Sequence, residues 1–439
     1  EAKYQPEMIT ADFAYLRDSK TLIHFTSITA DDEKNTLTKV RGSEGQIMAW
    51  GKRNSLPMLR EELVRNNNII GPLIATKRDI TLGAGLVAYK EVELPDGKFG
   101  TQVVAMPEAA KEFFKTVKIS QFLRNACKNL IFHGQYFVEY VRDRGGRIYS
   151  MKSMECRHVR AEKMTDKGVI KNWWWCGNWL RAKNMPEADP VMVPAFISEE
   201  AKQAKFIYRA GDDIAGDDYY FTPVWWGGRT WIELSNVIPE FHKNNMQHGY
   251  SIRYHIQIPK GYFDDSTSIA QTPGLEAKQL LIDGANQAKA DFIGKMNQYL
   301  AGATNAGRAV FTDYELQAAA GRDMPGIKIT PLNVDLKDES LLKLFEKSNQ
   351  ANISAQGIPP TLANIETQGK LSSGSEIRNA FLMYVAIKTP LPRSILLEAI
   401  EIVKEANGWD PDIKFGFKDM ILTTLDDEPS GMTEKNPEA

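Results

Sequence analysis

The sequence predicts an α+β chain of several domains. Three observations carry that expectation: alternating apolar segments separated by Gly and Asp turns between residues 86 and 175, two long segments of helical period after residue 270, and the overall composition. Of 439 residues, 43% are hydrophobic and 25% charged, the globular average, which excludes bulk disorder. The length allows two to four domains.

Charge narrows the partners. Lys plus Arg number 54 and Asp plus Glu 56, a formal net charge of −2, and no run of five like charges occurs. A protein that grips nucleic acid through its phosphates carries a basic surplus or patch, so tight, non-specific DNA binding by a monomer is a poor expectation. No stretch approaches 18 consecutive apolar residues, which predicts no transmembrane helix and no membrane partner. The first residues, EAKYQPEMITADFAYLRD, lack the basic-then-apolar layout of a signal peptide. Cys127, Cys156 and Cys176 offer no CxxC pair and are odd in number, which predicts reduced thiols and a cytosolic-type folding environment.

Residues 1–50 are polar, with an acidic tract at Asp31, Asp32 and Glu33, and read as an arm or loosely packed start. Ser55–Gly85 reads as one helix interrupted at Asn66–Asn68 and ended by Gly83 and Gly85. A hairpin follows, Leu86–Lys90 with Thr101–Val104. Ser120–Gly134 is a cleaner helix, with Ser120 as start cap, Gly134 as end cap and Cys127 on its apolar stripe as a structural thiol. Strands Tyr136–Val141, Ile148–Met151 and Val169–Trp175 form a β-rich zone. Residues 184–222 read as loop-rich and acidic.

Trp225–Asn245 reads as a helix with a break or kink at Pro239. Strand Ile252–Ile258 leads to helix Leu275–Leu300, whose 26 residues span roughly 39 Å. Strands Ala309–Thr312 and Ile327–Leu332 bracket a turn-rich piece. Asp338–Gln356 is a further helix; its second half, SNQANISAQ, is polar and so either bridges solvent or belongs to an assembly. Glu366–Ser375 is a Gly/Ser loop with one Lys, helices 376–388 and 394–406 follow, and strand Ile413–Phe417 precedes an acidic tail whose composition predicts disorder.

Enzyme signatures are missing from this pattern. Gly83-Ala84-Gly85 lacks the third glycine of a dinucleotide fingerprint and ends a helix instead of opening one; no GxxxxGK[ST], HExxH or GxSxG is present. The six His read as solvated or core-edge side chains, and His242 and His248 are six apart, which does not give ligand geometry on a helix. No catalytic residue, cofactor or metal is expected. Trp173, Trp174 and Trp175 cannot form one base-stacking platform, because strand side chains alternate faces; a core or a subunit contact suits them better.

Several segments in order resemble tailed-bacteriophage portal proteins, the head–tail connector family. They are Trp50-Gly51-Lys52-Arg53-Asn54 with the helix running to Gly83-Ala84-Gly85, Tyr219-Tyr220-Phe221-Thr222-Pro223-Val224-Trp225-Trp226 with Phe241–Asn245, and SNQANISAQGIPP at 348–360. The resemblance covers most of residues 50–420, and the acidic piece at 184–218 fits no part of it. It implies a subunit with an α/β wing (51–224), a first stem helix (225–248), an α/β clip (249–335), a second stem helix (336–357), a tunnel loop (358–375) and a return to the wing or a short crown (376–422), after an N-terminal arm (1–50) and before the acidic tail (423–439).

Such subunits form a ring, usually of twelve, at one capsid vertex. The implied partners are further copies of the chain, major capsid and scaffolding proteins, the large terminase, head–tail adaptors, and double-stranded DNA as translocated cargo. The implied location is the virion, after assembly in the host cytoplasm. Gln368, Lys370, Ser372 and Ser373 are the candidate tunnel-loop residues, and Lys343, Glu346 and Lys347 the candidate channel lining of the second stem helix. A ring multiplies each position, so a channel rich in such cations would hold the duplex through counterion release, and one Lys among small polar residues suits a sleeve better. Without the resemblance the loop reads as an ordinary connector. Two rivals remain: another virion structural protein, such as a capsid or tail-adaptor subunit, and a metal-independent hydrolase, which would show a buried cluster of shifted carboxylates.

Overall fold

The computed structural model describes residues 13–16, 21–24, 35, 37–38, 47–93, 99–179, 182, 190–196, 203–214, 216–248, 254–259, 262–263, 271–301, 309–314, 327–331, 338–363 and 374–420. Two compact units divide the chain: residues 1–233 with 348–439, and residues 234–347.

The first unit begins with short antiparallel pairs, β1 (Phe13–Leu16) with β2 (Thr21–His24), and β3 (Leu37–Thr38) with β4 (Ile47–Met48). The loosely packed start expected for residues 1–50 does not extend to its end, because Ile47, Met48, Ala49 and Trp50 are all buried. The single interrupted helix expected at 55–85 is two helices, α1 (Leu56–Arg65) and α2 (Ile70–Leu82). Asn67 is the reason: its side-chain oxygen accepts the backbone N–H of Ile69 and of Ile70, both at 3.0 Å, and so starts the second helix. Gly83 then turns the chain with φ 54° and ψ −139°, where a Cβ would overlap the carbonyl of Lys418.

The hairpin of β5 (Gly85–Glu93) and β6 (Phe99–Val104) forms as predicted. Next come α3 (Glu108–Thr116) and α4 (Ile119–His133). Ser120 does not cap α4; Lys118, left-handed at φ 52°, stands at its start, and Gly134 ends it at φ 76° as expected. β7 (Gln135–Arg142) pairs antiparallel with β8 (Ile148–Met154); β9 (Val159–Ala161), β10 (Asn172–Trp175) and β11 (Val191–Pro194) make a second sheet. The span expected to be loop, 184–222, contributes β11 and also β12 (Lys205–Gly211), which pairs with β7 along its whole length.

β7 is therefore buried on both faces. Tyr136, Val138 and Tyr140 enter one core with α3, α4 and α9 (Pro390–Ala406), while Phe137 enters another with Trp50, Trp173, Tyr220, Trp225 and Trp226. The alternation holds for the tryptophan run too: Trp173 and Trp174 lie in different cores and Trp175 is exposed. The α9 helix starts at Pro390, four residues earlier than expected, because proline suits a first helical turn; β16 (Lys414–Lys418) then pairs with β5.

α5 (Arg229–His248) follows a 3₁₀ turn at Val224–Gly228, and Pro239 sits inside it without ending it. In the second unit, β13 (Tyr254–Pro259) pairs parallel with β14 (Ala309–Tyr314) and antiparallel with β15 (Lys328–Pro331), and α6 (Leu275–Ala301) connects the parallel pair. α7 (Asp338–Gln356) has the predicted bounds, and α8 (Gly374–Lys388) starts within the expected Gly/Ser loop, taking Gly374 and Ser375 into helix.

Among the described residues no single helix is long and apolar enough to cross a membrane; α8 and α9 pass by length and composition only as a pair bent by 49°, and α9 buries Leu396, Ala399, Ile400 and Val403 in the core.

Candidate functional site

Three of the segments that carried the sequence resemblance, at 50–54, 219–226 and 348–360, each hold a joint in the first unit. Asn54, at φ 58°, accepts the Trp50 N–H at 3.0 Å with its side chain, closing the Trp50–Asn54 turn. The buried Arg160 guanidinium bonds the same Asn54 oxygen and donates to the carbonyls of Asn54 (3.0 Å), Arg157 (3.0 Å) and Val159 (2.8 Å). Burial lowers its pKa to about 10. Tyr220 stacks on Trp50 at 4.4 Å and accepts the Ala161 N–H at 2.9 Å, while its hydroxyl donates to Met48. Trp225 donates to the Phe132 carbonyl at 3.2 Å. These residues are architecture.

His133 corrects an expectation. Read as solvated or core-edge, it is fully buried beside Trp50 and Phe132, and burial together with Arg60, Lys128 and Arg160 holds its pKa well below the ordinary value. Cys127 is buried as expected, its thiol pushed up to about 12 by burial, and Cys156 and Cys176 are buried free thiols. The described residues contain no group of His, Cys, Asp and Glu that could hold a metal, and their buried charged side chains are all cationic, with no carboxylate cluster of the hydrolase kind among them.

The predicted channel residues fall on α7. Lys343, Glu346 and Lys347 are exposed and share one face, which continues through the exposed Gln350 and Ser354. Gln350 and Ser354 escaped the sequence reading, although steps of three and four from Lys343 reach both. Exposed Leu342 and Leu344 flank this polar stripe on either side. Gln368, Lys370, Ser372 and Ser373 lie outside the described residues.

The polarity of the second half of α7 has a second cause besides the exposure of Gln350 and Ser354. Ser348, Asn352 and Gln356, spaced four apart, are buried on the face opposite the exposed stripe. The Asn352 amide donates to the Trp231 carbonyl at 3.5 Å, and the Lys77 amine donates to the Gln356 carbonyl at 3.0 Å and its side-chain oxygen at 3.4 Å. Ile353 and Ile358 pack with Leu73 and Ile80 of α2 and Phe381 and Tyr384 of α8. Gly228 carries no Cβ because one would stand 2.7 Å from the Ala355 methyl. Burial, and then the nearby Lys388, lowers the Lys77 pKa to about 8. The C-terminal half of α7 is thus seated in the first unit, with its last carbonyl held by a cation, the favourable sign at a helix C-terminus.

No family model and no curated protein matches the sequence. Solved structures do match. A chain from the neck of an empty GTA particle, computed with C6 symmetry, gives a TM-score of 0.53 at 14% identity over 88% of each chain. The chain shares its fold with a GTA neck component. A chain from the virion of a native gene transfer agent (GTA) particle gives 0.50 at 14% identity, covering 84% of this chain and 85% of that one. An HK97-family phage portal protein from Corynebacterium diphtheriae gives 0.35 at 10% identity, covering 79% and 92%. The likeness in fold rests on the first two.

Proposed function

We propose that the chain is the subunit of a phage portal, or head–tail connector: a ring at one capsid vertex through which the genome is packaged and ejected. The observation that carries this reading is the fold shared with the GTA neck component over 88% of both chains, from a particle neck computed with C6 symmetry. It agrees with the portal resemblance of the sequence.

α7 supports the same reading physically. Its exposed polar stripe, Lys343, Glu346, Lys347, Gln350 and Ser354, lies opposite the buried Ser348, Asn352 and Gln356 and between the exposed Leu342 and Leu344. A helix lining a ring needs three kinds of face: one anchored in its own subunit, one wet, and two apolar flanks for neighbours on either side. Mixed charge on the wet stripe gives weak contact with phosphates and no base readout, which suits DNA as moving cargo. The segment 358–375 is the tunnel loop, with Gln368, Lys370, Ser372 and Ser373 at the DNA and the helical part starting at Gly374. The ring holds twelve copies, is built in the host cytoplasm with major capsid and scaffolding proteins, receives the large terminase and then tail adaptors on its clip, and remains in the virion. It acts without catalysis.

Mass photometry with negative-stain imaging of the purified chain tests this. Uniform rings with an open centre are expected. A monodisperse monomer at high concentration would overturn the proposal.

A further inference from the structure

Among the described residues two arginines are fully buried, and the fold treats them differently. Arg160 is served by oxygens: the Asn54 side chain and the carbonyls of Asn54, Arg157 and Val159 all accept its N–H groups. Arg60, from α1, lies over the Trp226 ring at 4.7 Å, and neither its Nε–H nor its Nη1–H meets an acceptor. The carboxylates around it are engaged elsewhere. Glu61, its neighbour in α1, pairs with Arg157 at 3.2 Å, and Asp217, whose charge acts on Arg60 most strongly, accepts the Thr222 N–H at 2.7 Å. His133, at the end of α4, is a neighbour: Arg60 is the strongest charge acting on it, and its Nδ1 is also buried without a partner.

The Arg60 guanidinium keeps its proton at neutral pH, although burial lowers its pKa to about 9. A buried charge with unpaired donors is strongly destabilising, so these donors need an acceptor from outside the chain. We infer that Arg60 and His133 form the binding site of one small monovalent anion, of the chloride class, seated against the guanidinium beside Trp226. Two observations select an anion over a bridging water. The unpaired atoms are all nitrogens, Arg60 Nε and Nη1 and His133 Nδ1; a water brings two hydrogens of its own, only one of which has a taker, His133 Nδ1. The buried charged side chains among the described residues are all cationic, so an anion supplies the compensating charge that a water does not. With Arg60 2% and His133 3% exposed, the ion sheds its hydration on entry, which costs chloride far less than sulfate or phosphate. The inference is independent of the ring reading, since every group in it belongs to one chain.

Thermal melting of the full chain at constant ionic strength, with sodium gluconate exchanged stepwise for sodium chloride, tests the site. Wild type is expected to gain at least about 2 °C and to saturate below about 200 mM chloride, because a ligand that binds only the folded state stabilises it by mass action. Arg60→Met is expected to abolish the dependence. Arg60→Lys, which keeps the charge and loses the planar fork, is expected to weaken chloride about tenfold. Should neither variant fold, bromide gives a readout on wild type. Seated against Trp226, this heavy ion is expected to quench a saturable part of the tryptophan fluorescence, and chloride is expected to compete it away. Identical melting in gluconate and chloride would overturn the inference and leave a bridging water at Arg60. A rise that never saturates, or that persists in Arg60→Met, would assign the effect to the surface and overturn it equally, as would bromide quenching that chloride does not relieve.

Discussion

Replacing Lys77 by Met removes the amine that holds the end of α7 and keeps most of the stem's volume. In the folded chain burial lowers this amine from its ordinary pKa of 10.5 to about 8. At about 1.4 kcal/mol per tenfold, that displacement costs the protonated, folded state about 3 kcal/mol. That net displacement already contains the charged amine's bond to the Gln356 carbonyl at 3.0 Å, so the bond does not offset it a second time. Near pH 7 Lys77→Met is therefore expected to be more stable than wild type, by up to about 3 kcal/mol.

Raising the pH separates the two proteins. Between pH 8 and 10.5 the unfolded chain still holds the proton that the folded chain has released, so the unfolded state binds more protons and wild-type stability rises with pH. Met has no proton to lose. Urea denaturation at pH 7 and pH 10 is expected to show the gap moving by about 2–3 kcal/mol in favour of wild type. A gap that stays constant across this range would refute the burial of the charged amine, and with it the account of how α7 is seated.

Three further outcomes follow from the same geometry. The Tyr136 hydroxyl donates to the Ile395 carbonyl at 2.7 Å and that of Tyr140 to the Ala399 carbonyl at 2.8 Å, so Phe at either position is expected to cost about 1 kcal/mol by chemical denaturation and both together about 2. Those two bonds fix successive turns of α9 over β7. With all three thiols buried and Cys127 pushed up to about 12, a disulfide-exchange reagent at pH 8 is expected to titrate none in native protein and three after denaturation; rapid reaction of the native protein would contradict the core packing. Lys370→Ala, or deletion of 367–373, is expected to leave ring formation intact and to impair packaging or DNA retention in particles; normal packaging by both would remove the tunnel role from that loop.

Long, regular periods were the most legible feature of the sequence. The bounds of α7 came directly from the spacing, and Gly134 marked the end of α4, because a residue needing positive φ leaves a recognisable glycine. Lys118 at φ 52° left no such mark, so the start of α4 was displaced toward Ser120. β12 was hidden because the acidic pairs 212–213 and 217–218 beyond it dominate the composition, while its strand character depends on a partner, β7, more than sixty residues away. α3 went unread for the opposite reason: nine residues with a Phe113–Phe114 pair are too few for a period to assert itself.

The candidate site divided along similar lines. That Lys343, Glu346 and Lys347 share one face follows from helix geometry alone; that this face is exposed is visible only in the folded chain. The burial of Ser348, Asn352 and Gln356 could not be read in that way. Polar residues at a step of four look wet until the backbone of Trp231 and the amine of Lys77 are brought beside them, and neither is near in sequence. The same polarity that suggests a solvent-facing helix is here the means of anchoring it.

A reconstruction of the purified ring by electron cryomicroscopy tests the central claim most directly. The account predicts a continuous bore with α7 around it, Lys343, Glu346 and Lys347 facing the opening, Ser348, Asn352 and Gln356 turned away, and the segment carrying Lys370 reaching toward the axis. A ring with α7 on its outer wall, or an assembly with no bore, would contradict it.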